Sequence, residues 1–143
     1  DQWRFWRRRP APVWQSRVER SRSAIGRFSD EVQQRLGTEV PPKVLHDMLI
    51  ALDELMTNVV MHAEQAAGPI DVELRYDARA VEARISYLAV EFDPTTWRAP
   101  AAATTVAGAP IGGLGIKLVR TLLDEFRYEY ADGRNVLTLV RRR

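Results

Sequence analysis

A chain of 143 residues has the length of one ordinary domain, and its apolar and charged fractions of 45% and 28% are those of a globular protein in water. Without a cysteine it can form neither a disulfide framework nor a thiolate metal site. No apolar run is long enough to cross a bilayer, and the first residues lack the apolar stretch of a secretory signal, so a cytoplasmic protein without a membrane span is expected.

The positive charge gathers at the two ends. Arg4, Arg7, Arg8, Arg9, Arg17, Arg20 and Arg22 are interleaved with Trp3, Phe5, Trp6 and Trp14, and Arg141, Arg142 and Arg143 close the chain. Such a stretch suits an acidic partner, or a solvated arm or linker. No recognition helix or repeated basic-aromatic motif follows it, so direct nucleic-acid binding is not expected. Residues 1–15 are read as an arm or linker and 16–143 as one domain.

Val18, Ile25, Phe28, Val32 and Leu36 recur at helical spacing and predict an amphipathic helix from Val18 to Leu36, stopped at Gly37. Pro41-Pro42 opens a second helix with a stripe of Leu45, Met48, Leu49, Leu52, Leu55, Met56 and Val59, ending between Ala63 and Gly68. Ile70, Val72, Leu74 and Tyr76, then Val81, Ala83, Ile85 and Tyr87, alternate with polar residues as the two strands of an antiparallel hairpin. From Phe92 to Pro110 there is no periodicity, which predicts a long loop. A short helix starts at the glycines Gly112, Gly113 and Gly115. A strand follows on Phe126, Tyr128 and Tyr130, then a turn at Asp132-Gly133 and a last strand from Val136 to Val140. One-faced strands and striped helices predict an α+β fold, a two-layer sandwich with helices on one face of a mixed, mostly antiparallel sheet.

Two features carry possible chemistry. Glu54, Asn58 and His62 are spaced by four and form a polar line on the second helix, as either a solvated flank or a site for a cation and a nucleophile. The glycine cluster, with Leu114 inside it, is costly in backbone entropy; it suits either a plain turn or close approach of the backbone to an anion at the following helix start.

The segment Ala51-Leu52-Asp53-Glu54-Leu55-Met56-Thr57-Asn58-Val59-Val60-Met61-His62-Ala63 resembles the asparagine box of the histidine-kinase-like (GHKL, Bergerat-type) ATPases, in the branch of anti-sigma-factor serine kinases of the RsbW and SpoIIAB type. Phe92-Asp93-Pro94 resembles the approach to that family's nucleotide lid, and Pro110-Ile111-Gly112-Gly113-Leu114-Gly115-Ile116 its second glycine box. The resemblance implies a Bergerat-type ATP-binding fold with ATP and Mg2+ as ligands. Asn58 would hold the magnesium ion, Glu54 would be the general base, and Gly112, Gly113, Leu114 and Gly115 would approach the phosphates. Thr95 to Pro110 would be the lid, and His62 would serve packing or hydrogen bonding. It implies serine/threonine kinase activity on a STAS-domain antagonist, binding of a sigma factor in partner switching, and a homodimer.

Two positions depart from the family. Where the first glycine box has an aspartate followed two residues later by a glycine, this chain has Tyr87 and Ala89 at the base-binding positions. A tyrosine lacks the paired acceptors of a carboxylate. Two readings follow: an ATP-dependent kinase, or a kinase-like protein-binding adaptor with weak or no ATP binding.

Overall fold

The computed structural model describes residues 14–96 and 113–143. Gly112, most of the expected lid and the Trp3 to Arg9 arm lie outside the described residues.

The chain runs β1 (Trp14–Val18), α1 (Arg22–Leu36), α2 (Pro42–His62), β2 (Ala67–Tyr76), β3 (Ala80–Leu88), α3 (Gly113–Leu122), β4 (Glu125–Ala131) and β5 (Arg134–Arg142). The five strands lie in the order β1-β2-β3-β5-β4, and all four ladders among the described residues are antiparallel.

The first element differs from expectation. Val18 closes an edge strand, and the helix begins four residues later at Arg22, where the Ser21 hydroxyl accepts from the Ala24 N–H at 3.1 Å. A five-residue strand has too few alternations to stand out beside a helix whose period happens to include Val18. Its inward face is recognisable only in three dimensions, where Trp14 stacks on Phe28 of α1 with ring centroids 5.3 Å apart and Arg35 caps the indole at 5.1 Å.

The other elements follow their local signals. Pro42 occupies the first turn of α2, where a missing N–H costs nothing. The turn at Asp132-Gly133 has φ of +54° and +76°, the left-handed pair that a two-residue hairpin needs. Asp77 closes the β2–β3 connection by accepting from the N–H groups of Arg79 and Ala80 through Oδ1.

One face of the sheet is the core. Val18, Ile70, Val72, Leu74, Val81, Ala83, Ile85, Leu137 and Leu139 pack beneath Phe28, Val32, Leu45, Met48, Leu52, Leu55 and Met56 of the helices. Register puts Tyr87 of β3 opposite Asn135 of β5 on this inward face, at the end of the sheet where α2 terminates. The outward face is polar, with Arg134 donating to Ser86 at 2.6 Å and to Asp71 at 2.8 Å. At the far end of α2, buried Asp47 takes Arg141 of β5 at 3.0 Å and Lys43 at 3.2 Å, tying the helix to the last strand.

Candidate functional site

The helical repeat aligns Glu54, Asn58 and His62 along α2, with the apolar stripe of the same helix pressed on the sheet. Two cavities, each of about 370 Å3, adjoin this line. The inner one is walled by Val59 of α2 and Ala63 just past its end, Tyr87 of β3, Val90 and Phe92 of the following connector, and Ile116 of α3. The outer one is lined by Arg22, Asp53, Glu54 and Thr57. Asn58 and His62 border both. Asn58 therefore stands between a partly apolar chamber and an open groove that contains the carboxylate.

Helix α3 reaches the same place from the other side. A Cβ built on Gly115 would overlap Oε2 of Glu54, so any side chain at that position would contest the space of the carboxylate. This is a specific reason for a glycine in the cluster, alongside the approach to phosphates expected of it. Gly113 opens α3, next to Leu114 in the sequence. Near the other end of α3, Arg120 donates to the carbonyls of Pro94 and Thr95, each at 2.9 Å, while the Asp93 carboxylate accepts from the N–H and hydroxyl of Thr95. The connector leaving the sheet is thus latched to the helix that carries Gly115.

The connector is held at its other end by Asn135, which is completely buried. Its Oδ1 accepts from the Tyr128 hydroxyl at 2.6 Å and the Phe92 N–H at 3.0 Å, and its Nδ2 donates to the carbonyls of Val90 at 3.2 Å and Ala89 at 3.4 Å. All four hydrogen-bonding positions of the carboxamide are filled. The sequence motifs give this residue no role in the site. The signal was present, because Asn135 is the polar member of the inward alternation Asn135, Leu137, Leu139, and a buried amide demands partners.

Tyr87 continues β3 instead of ending it. The residue is 4% exposed, and its hydroxyl has no hydrogen-bond partner among the described residues while the ring faces the inner cavity. Burial, with a smaller contribution from Tyr128, pushes its hydroxyl up to about 12, so it is a neutral phenol at ordinary pH. Ala89 is buried two residues on, its N–H donated to the Gly133 carbonyl at 3.3 Å. His62 differs from expectation: it is exposed at the end of α2 and makes no hydrogen bond among the described residues.

Residues 15–141 match the family model of the histidine kinase-like ATPase domain. The chain belongs to this family. It is 33% identical over 95 residues to the serine/threonine-protein kinase BtrW of Bordetella bronchiseptica, covering 65% of this chain and 67% of that one. It is 32% identical over 121 residues to the serine-protein kinase RsbW of Listeria innocua, covering 80% and 76%. Among solved structures, a Mycobacterium tuberculosis protein with RsbU and RsbW domains superposes with a TM-score of 0.65 at 17% identity, over 93% of this chain and 33% of that one. The histidine kinase domain of a blue-light-activated kinase from Erythrobacter litoralis gives 0.50 at 14% identity, over 83% of this chain and 59% of that one. At such identities these two likenesses establish the fold, a helical layer on an antiparallel sheet of the Bergerat type.

Histidine kinase-like ATPase domains bind ATP and magnesium in general, and the α2 side of the pocket fits such ligands. The Asn58 carboxamide makes no hydrogen bond to another described residue, and its oxygen is the hard donor that magnesium takes alongside phosphates and water. The β3 side of this histidine kinase-like site is different, since Tyr87 and the filled Asn135 network present no carboxylate there.

Proposed function

We propose that this chain is a regulatory serine/threonine protein kinase of the RsbW type, which uses ATP and Mg2+ to phosphorylate a STAS-domain antagonist and sequesters a sigma factor in a cytoplasmic partner-switching system, working as a homodimer. The observation that carries the reading is the position of Asn58 between the inner chamber and the groove containing Glu54. Phosphoryl transfer is largely a matter of positioning and charge compensation, and a carboxamide at the junction of two cavities is where a nucleotide's phosphates would meet an incoming hydroxyl. Magnesium, when bound, supplies the charge compensation. Glu54 would orient the hydroxyl of the antagonist's serine and accept its proton, and Gly115 leaves room for that carboxylate. Arg22 and Thr57 line the groove through which a protein segment would approach.

A second reading rests on Tyr87. Its buried ring stands where the family's base-binding aspartate is expected, and loss of a buried hydrogen bond to a base costs about 1–3 kcal/mol. On that reading the domain is a protein-binding adaptor with weak or no ATP affinity.

Calorimetry of Mg-ATP on the wild type and on Asn58→Ala separates them. The kinase reading expects magnesium-dependent binding that Asn58→Ala weakens by about tenfold or more. Undetectable binding at millimolar ATP would leave the adaptor reading.

A further inference from the structure

Selectivity for one purine over another comes from polar groups that the wrong base would leave unpaired, and apolar walls discriminate poorly. At the β3 end of the inner cavity, the polar groups are almost all engaged within the protein. Asn135 has no free donor or acceptor position. The Ala89 N–H goes to Gly133 and its carbonyl takes both Asn135 and the Tyr130 hydroxyl, the latter at 3.2 Å. The Val90 N–H goes to the Glu64 carbonyl at 2.9 Å, and the Phe92 N–H to Asn135. These bonds anchor the connector to β4, β5 and the residues just after α2, and commit the N–H groups of Ala89, Val90 and Phe92 within the protein.

At the β3 end what remains for a base is mainly surface and one hydroxyl, while the side chains of Asn58 and His62, unbonded among the described residues, line the α2 side of the cavity. Val59, Ala63, Val90, Phe92 and Ile116 offer apolar contact that is indifferent to the substituents on the ring. The carboxylates of Glu64 and Glu91 lie on exposed residues of the rim, where water competes for them. Tyr87 keeps an uncommitted hydroxyl. Because it stays neutral, it can rotate to accept from the amino group of adenine or to donate to the carbonyl oxygen of guanine.

We infer that the inner cavity accepts purine nucleoside triphosphates without discriminating adenine from guanine, with Tyr87 as the residue that replaces selectivity by tolerance. This inference rests on the nucleotide-binding reading of the site proposed above and names the ligand class of that site more closely.

Calorimetric titration of the wild-type chain with Mg-ATP and Mg-GTP tests it directly. The expected result is two dissociation constants within about tenfold of each other, well short of the 10^4 to 10^5 that a base-reading hydrogen-bond site attains. A preference above about tenfold for either purine would overturn the inference while leaving the nucleotide-binding reading intact, and failure of both nucleotides to bind would overturn that reading and the inference with it. Tyr87→Phe, which keeps the ring and the packing, is expected to leave the ratio within about threefold of the wild-type value, and a larger change would show that the hydroxyl does select a base.

Discussion

Gly115 of α3 lies directly against the carboxylate of Glu54 on α2, so that a methyl group at Gly115 and Oε2 of Glu54 cannot occupy their present places together. The carboxylate is the far end of a flexible side chain and can yield at little cost to the fold. Gly115→Ala is therefore expected to lower the melting temperature only slightly while displacing the group proposed to meet the acceptor hydroxyl. A shift of about 1 Å in a reacting group costs on the order of a hundredfold in rate. Phosphoryl transfer should fall by that order with nucleotide affinity nearly unchanged, which single-turnover kinetics and calorimetry together would read; an equal fall in both would place Gly115 in binding.

Glu54→Gln keeps the shape of the side chain and removes its capacity to take a proton. Binding of Mg-ATP should persist, and transfer to a serine-bearing partner should drop by about 10^2 to 10^4. Transfer at the wild-type rate would remove Glu54 from the chemistry.

The contact between Asp47 and Arg141 predicts a pH dependence at the other end of α2. Burial raises the Asp47 carboxyl, but hydrogen bonds from Arg141 and Lys43 and their charges more than offset this, so it titrates below its ordinary value. A group depressed in the folded state contributes stability that is present above its unfolded pKa of about 4 and is lost as pH falls through the folded value. Asp47→Asn should flatten the decline of melting temperature below about pH 4, and should cost about 1–3 kcal/mol at neutral pH, less than for a fully buried pair because Lys43 is exposed. An unchanged acid limb in thermal melts would show that other carboxylates control it.

Trp14 fastens the edge strand β1 to α1 through Phe28 and Arg35. The residue is only partly buried, so Trp14→Ala should destabilise by about 1–3 kcal/mol, below the range for a fully enclosed aromatic. Urea unfolding measures this, and a cost below about 0.5 kcal/mol would mean that β1 is held by its ladder alone.

Asn135→Ala leaves the N–H of Phe92 and the carbonyl of Val90 without their present partner, and should cost about 1–3 kcal/mol. Tyr128→Phe removes one bond to the same carboxamide and should cost about 1 kcal/mol. If the two effects are coupled, the double variant will fall short of their sum, which denaturant titration of all three proteins would reveal.

Most of the elements were legible because they obey a local period. Ile70, Val72 and Leu74 alternate and are buried, and Leu45, Met48, Leu52 and Leu55 form the stripe that meets them. The line Glu54, Asn58 and His62 was equally legible, since four residues make about one helical turn. β1 was not legible, because Val18 satisfied the period of the neighbouring helix as well as that of its own strand. Sequence grounds assign His62 to packing or hydrogen bonding, yet its place at the helix end leaves it exposed between two cavities.

Residue type and spacing were therefore sufficient for the fold class and the helix that carries Asn58, because both depend on neighbours along the chain, and resemblance of the motifs was sufficient for the family. Three relations needed the folded chain: the Glu54 carboxylate against Gly115, Tyr87 beside Asn135, and the engagement of every polar atom of Asn135 by residues 89–92 and Tyr128. Apart from the Tyr128–Asn135 bond, whose partners sit on neighbouring strands of one hairpin, they join residues about 40 to 60 positions apart, and hydrogen-bond satisfaction and side-chain volume are decided by contacts at that separation, not by local pattern.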